Sequence, residues 1–195
     1  MSINHWIVKN LVCTLLLAVG GLNMYAQKDK YLIEAEAFQF KGKWSTDRSA
    51  DCMGSAMLRL NGGGSLDEQF DALTVVNIME EGDYNVWVRS ADYDKLPGTR
   101  LFRLSVDEKP MKESGKHGKV GFYWENAGCV QLAKKQVLLR LHDTKRNFGR
   151  CDAILLVKDH SINPNEMDRK EVGKWRKNPV KIETKGSGFD NVSTP

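Results

Sequence analysis

Apolar and polar residues alternate with period two along most of this chain, and few stretches repeat at the helical period. Side chains of a strand point alternately to its two faces, so each such run reads as a half-buried strand. In Tyr31 to Ala37, Tyr31, Ile33, Ala35 and Ala37 share one face, and Glu34 and Glu36 the other. Tyr84, Val86 and Val88 oppose Asn85, Trp87 and Arg89, and Phe102, Leu104 and Val106 oppose Arg103 and Ser105. Val137, Leu139 and Leu141 oppose Arg140 and His142. Ser55 to Leu60, Ala72 to Met79 and Gly128 to Leu132 read as further strands. Cys151 to Val157 is apolar on both faces except at Asp152, which predicts a central strand. Turn signals separate the runs: Asn61-Gly62-Gly63-Gly64, Glu81-Gly82-Asp83, Leu96-Pro97-Gly98, Asp107-Glu108-Lys109-Pro110 and Asn147-Phe148-Gly149. About nine short strands at this spacing predict an all-β chain, folded as an antiparallel sandwich.

Composition bounds the function classes. The chain has 195 residues, 41% apolar and 28% charged, with a net charge of +4. This is the balance of a folded globular domain, and the positive excess is too small to argue for nucleic acid. Residues 1–26 read as a secretory signal peptide: Lys9, the apolar run Leu11 to Leu22, then Ala26 before Gln27. The run falls short of the roughly 20 apolar residues a membrane span needs. No membrane span is expected after cleavage, and the localisation is secreted, periplasmic or cell-surface. Beyond the signal, Cys52, Cys129 and Cys151 allow one disulfide at most. They read as three buried small hydrophobes.

Residues 27–160 are expected to form the sandwich and residues 161–195 a short helix with a polar, basic tail or linker. Asn163, Pro164 and Glu166 form a helix start resembling a capping box, with the helix expected to reach about Val172. Lys174, Arg176, Lys177, Lys181 and Lys185 make the remainder basic, which reads as solvated tail or as a contact for an anionic polysaccharide.

Nucleotide and zinc motifs are missing from the sequence. Gly62-Gly63-Gly64 has no Lys-Ser/Thr after it, and the Cys and His residues lack zinc spacing. His142 and Asp143 are neighbours on a strand and point to opposite faces, so they do not serve one catalytic site. Serine stands in no nucleophile elbow. The chain is therefore expected not to be an enzyme.

Glu34 and Glu36 project from one strand face with Cα atoms roughly 6.6 Å apart. Two such carboxylates can flank a Ca²⁺ ion, which takes six to eight oxygens in flexible geometry. Asp152 is the candidate third ligand, because an acid in an apolar strand needs a partner. The other reading makes Glu34 and Glu36 a wet strand face and pairs Asp152 with Arg150 or Arg89.

Aromatic residues near turns are the second signal. Tyr93 follows a strand in Asp92-Tyr93-Asp94, and Phe122-Tyr123-Trp124 follows Gly121. Aromatic faces stack on the apolar C–H faces of sugar rings, and neighbouring polar groups can bond the hydroxyls. Burial of Trp124 or Tyr123 in a strand is the competing reading.

Ile33-Glu34-Ala35-Glu36-Ala37-Phe38 and Gly149-Arg150-Cys151-Asp152-Ala153-Ile154 resemble carbohydrate-binding modules of families 6 and 35. The closer likeness is to the N-terminal module of secreted bacterial FAD-dependent oxidoreductases and polysaccharide-degrading enzymes. Its landmarks here include Trp44 with Asp47, Met53-Gly54-Ser55, Gly82 to Arg89, Trp124 and Leu141-His142-Asp143. They run in order from about Tyr31 to Asp159. The resemblance implies a jelly roll with structural calcium at Glu34, Glu36 and Asp152. It also implies a sugar site in end loops, with Tyr93, Trp124 and Asn147 as the nearest equivalents. Tyr93 stands where the oxidoreductase-attached relatives have Trp, and Thr144 to Phe148 departs from their loop. No flavin or lyase domain lies in this chain, so no activity transfers with the resemblance.

The expected function is thus a non-catalytic module that binds a polysaccharide or oligosaccharide. The alternative is an accessory N-terminal domain, or a fragment, of a secreted oxidoreductase or polysaccharide-degrading enzyme, with that catalytic enzyme as partner.

Overall fold

A computed structural model describes residues 28–61, 67–144 and 148–182. The expected signal segment and Asn147 lie outside the described residues. Among the described residues, ten strands form two antiparallel sheets, with one short C-terminal helix. The chain is an all-β sandwich, as its alternation predicts.

The larger sheet holds β1 (Lys30–Glu34), β2 (Ser45–Arg48), β3 (Ala56–Arg59), β5 (Gly82–Ala91), β8 (Phe122–Leu132) and β10 (Arg150–Val157). The smaller holds β4 (Ala72–Asn77), β6 (Phe102–Val106), β7 (Lys109–Ser114) and β9 (Gln136–His142), in the order β4-β9-β6-β7. β10 is central: it pairs with β5 on one edge, and with β3 and then β1 on the other. Its register slips at Asp152, between Cys151 and Ala153, as a bulge opposite Arg89 and Ser90.

The inner faces of the sheets meet in one core. Tyr31 packs edge-on against Tyr84 at 5.9 Å, and Trp44 against Phe102 at 5.6 Å. The backbone at Gly149 lies close to this pair: a Cβ there would stand 3.1 Å from Trp44 and 3.2 Å from Phe102, tighter than an ordinary contact.

A second apolar layer explains why β10 is apolar on both faces. Leu32, Trp124, Ala153, Leu155 and Val157 on the outer face of the larger sheet pack against Val172, with Ile162, Met167 and Trp175 beside them. The cover is the C-terminal segment. Asn163 caps a 3₁₀ turn at Pro164–Glu166, its side chain accepting from the Asn165 N–H and bonding Glu166. The chain then extends at Met167, and Asp168 caps the separate helix α1 (Arg169–Gly173). The single helix expected from Asn163 to Val172 is therefore two pieces.

The chain beyond Lys174, expected to be tail, stays on the sandwich as far as Ile182. The Leu32 N–H donates to the Trp175 carbonyl at 2.9 Å, and Lys177 N–H to the Leu32 carbonyl at 2.8 Å. Val180 N–H donates to Val75 at 2.8 Å. Trp175 supplies the apolar anchor that the basic composition obscures. Two strands, β2 and β7, fall where the alternation gave no signal. β7 follows a two-residue hairpin turn at Asp107 and Glu108, both at positive φ (52° and 63°). Among the described residues, no helix is long and apolar enough to cross a membrane.

Candidate functional site

At one end of the sandwich, the loop after β5 is built on Asp92. Its carboxylate is buried and accepts from the N–H groups of Tyr93 (2.7 Å), Gly98 (3.2 Å) and Gly118 (2.8 Å). Its backbone carbonyl accepts from Arg100 at 2.6 Å. The loop closes on itself where Leu96 N–H donates to the Tyr93 carbonyl and Thr99 to the Leu96 carbonyl. Backbone pinned this way holds Tyr93 outward.

Tyr93 is 41% exposed and Phe148 50% exposed, and they share a cleft of about 320 Å³ with Leu96, Thr99, Arg100 and Arg150. Arg100 lies 5.7 Å from the centre of the Tyr93 ring. Burial lowers the pKa of Arg100. It lowers that of Arg150 as well, with the Arg100 and Arg59 charges adding to the effect. Arg150 Nε is buried without a hydrogen-bond partner. The cleft thus combines aromatic and aliphatic walls with two guanidinium groups, that of Arg100 anchored on the Asp92 carbonyl.

Of the three expected sugar contacts, Tyr93 is in this cleft and Asn147 lies outside the described residues, beside Phe148. Trp124 is elsewhere. It stands on β8, 5% exposed, under the C-terminal segment, and is a core residue of the outer layer. Phe122 and Tyr123 also belong to β8 and not to a turn. Phe122 faces the Arg89 guanidinium, and Lys119 Nζ sits 3.5 Å from the Tyr123 ring centre. Phe148 was the missed residue. Its signal is a large aromatic in the Asn147-Phe148-Gly149 turn.

The acids divide differently from expectation. Glu34 ends β1, but Glu36 lies on a 3₁₀ turn at Ala35–Ala37, so the two are not on one strand face. They still converge on Gly54, where a Cβ would collide with Glu36 Oε1 and lie 2.7 Å from Glu34 Oε1. Glu36 Oε1 accepts from the N–H groups of Ser55 (2.8 Å) and Ala56 (3.1 Å). Its Oε2 is buried with no hydrogen-bond partner. Glu34 pairs with Arg176, whose Nε donates at 2.7 Å, and another Arg176 nitrogen reaches the Met53 carbonyl at 3.3 Å.

Asp152 does not join them. It is fully buried, and its carboxylate accepts from the Met53 N–H at 3.1 Å and from Arg89. Burial outweighs the favourable Arg89 charge and pushes its pKa up to about 6. The same burial, with Asp152 nearby, pushes the Cys52 thiol up to about 12. Two carboxylates and a cradle that lacks a Cβ fit a hard cation; the third acid is committed to a guanidinium.

His142 and Asp143 make no dyad: His142 Nδ1 bonds Asp71 Oδ1 at 2.9 Å. Cys52, Cys129 and Cys151 are free thiols, and Cys129, expected to be buried, is exposed.

No family profile matches this sequence, and no curated protein does. Solved structures do match its fold. A family 35 carbohydrate-binding module from Clostridium thermocellum is 18% identical with a TM-score of 0.52, over 65% of this chain and 97% of that one. The C-terminal family 6 module of the laminarinase LamC from Zobellia galactanivorans is 15% identical with a TM-score of 0.52, over 67% of this chain and 100% of that one. A mannanase from Podospora anserina with a family 35 module is 17% identical with a TM-score of 0.54, over 71% of this chain. The match spans only 30% of the mannanase. These likenesses establish a sandwich of the kind seen in carbohydrate-binding modules.

Proposed function

We propose that this chain is a secreted, non-catalytic carbohydrate-binding module whose ligand lies in the cleft between Tyr93 and Phe148. The observation that carries the reading is the pair of half-exposed rings on loops at one end of the sandwich, with Arg100 and Arg150 lining the same cleft. Ring faces would stack on the sugar, and the guanidinium groups would donate to its oxygens. Likeness of fold supports the reading without carrying it.

Calcium belongs to the same proposal in a narrower form than the sequence suggests. Glu34, Glu36 and the Met53 carbonyl would hold the ion, and Arg176 is the cation that competes for Glu34. Such an ion supplies charge neutralisation and a tie between β1 and the segment before β3, and it does no chemistry. Asp152 has no part in it.

A second reading, an accessory module working beside a catalytic enzyme, is favoured by the mannanase, where the matched fold is one part of a longer chain. The test of binding is retention by a panel of plant, algal and host polysaccharides. Capture by at least one is expected, and a folded protein captured by none would count against the proposal.

A further inference from the structure

Toward the other end of β8 from the aromatic run, three residues of different donor chemistry meet on the surface. Asp83 comes from the start of β5, Cys129 from β8, and His160 from the turn after β10. One ligand atom of each lies within 4.8 Å of the other two. His160 Nε2 is 3.8 Å from Asp83 Oδ2 and 3.3 Å from the Asp83 carbonyl. The Asp83 and His160 side chains are about half exposed and Cys129 is exposed, so the group opens to solvent.

We propose that Asp83, Cys129 and His160 form a zinc site. A thiolate, an imidazole and a carboxylate are the donor set of a borderline-soft divalent ion, unlike the all-oxygen set at Glu34 and Glu36. Three protein ligands leave the fourth tetrahedral position for water. Binding displaces the Cys129 thiol proton to solvent. Asn85, directly across the ladder from Cys129 and itself buried, fixes the sulfur: its Oδ1 accepts the thiol at 2.9 Å. Once the proton has left, rotation of that amide presents N–H to the thiolate, the outer-shell support that metal-bound sulfur commonly has. Lys109 Nζ is engaged on the Cys129 carbonyl, 3.4 Å away, not on the sulfur.

The consequence is mechanical. His160 opens the segment that covers the outer face of the larger sheet, two residues before Ile162 enters the apolar layer. A metal at this point would clamp the covering segment to β5 and β8.

The test is a Co²⁺ titration of the full chain under a non-thiol reductant, followed by Zn²⁺ competition. The proposal expects one cobalt per chain, a thiolate-to-metal charge-transfer band, visible bands of four-coordinate intensity, and loss of all of these on adding zinc. Cys129→Ser should abolish the bands, while His160→Gln and Asp83→Asn should each weaken binding by more than about tenfold. These positions are on the surface, so the variants fold. Absence of a charge-transfer band in the unaltered protein would overturn the proposal. So would a band that survives Cys129→Ser, or one that binds as tightly in His160→Gln and Asp83→Asn, which would mark a lone thiol.

Discussion

The side-chain amide of Asn165 bonds both backbone groups of Trp124: its Oδ1 accepts the Trp124 N–H at 3.0 Å, and its Nδ2 donates to the Trp124 carbonyl at 2.9 Å. β8 is an edge of the larger sheet, and an open edge is a hazard that folds must cover. Here the 3₁₀ turn at Pro164–Glu166 supplies a side chain in place of a neighbouring strand. Asn165→Ala removes two part-buried hydrogen bonds to the Trp124 backbone, and a loss of about 1–2 kcal/mol is expected in urea unfolding.

Burial of Trp124 makes it a stability residue. Trp124→Ala should cost about 3–5 kcal/mol by leaving a cavity between β8 and α1. Tyr93→Ala, on an exposed ring, should leave the melting temperature nearly unchanged. Calorimetry of the two variants separates packing from recognition.

Asp152 makes stability depend on pH. Its pKa is near the ordinary carboxylate value in the unfolded chain and about 6 in the folded one. Between those values the folded state holds a proton that the unfolded state lacks. The contribution is therefore present below the ordinary value and lost as the pH rises through about 6. Relative to Asp152→Asn, the unaltered protein should gain melting temperature as the pH falls from about 7 to 4.5. A parallel pair of profiles would contradict this.

Glu108 sits at φ 63° in the hairpin between β6 and β7, a region where side chains cost roughly 1–2 kcal/mol. Its contact with Arg140 is long, at 3.6 Å, and Glu108 is mostly exposed, so little is lost with it. Glu108→Gly is expected to stabilise the fold by about 1 kcal/mol in thermal unfolding.

Calcium and Arg176 compete for one carboxylate in the proposed site. Addition of Ca²⁺ after EDTA should raise the melting temperature, and the increase should be larger in Arg176→Gln. Glu36→Gln should remove it. Equal melting curves with and without calcium in all three proteins would set the ion aside.

The alternation made most of the sandwich legible, because eight of the strands bury one face against the core or run through its centre. β2 and β7 escaped because they carry mostly polar or charged residues, and β7 begins in what reads as a Pro-containing turn. The covering segment escaped for a different reason. Its anchors Ile162, Met167, Val172 and Trp175 are spaced irregularly, since a 3₁₀ turn and a short helix meet at an extended Met167. That one omission misplaced Trp124, whose fate depends on what lies over it. Asp152 was legible as an acid needing a partner, and Arg89 was among the partners foreseen. Strand alternation could not show that the chain turns after Glu34, which takes Glu36 off the strand and brings both carboxylates onto Gly54.

Affinity electrophoresis of the unaltered protein beside a Tyr93→Ala/Phe148→Ala double variant tests the central claim most directly. The account predicts retardation of the unaltered protein by at least one polysaccharide, and free migration of a folded double variant in the same gel. Equal retardation of both proteins would place the ligand elsewhere, and no retardation of either would contradict glycan binding itself.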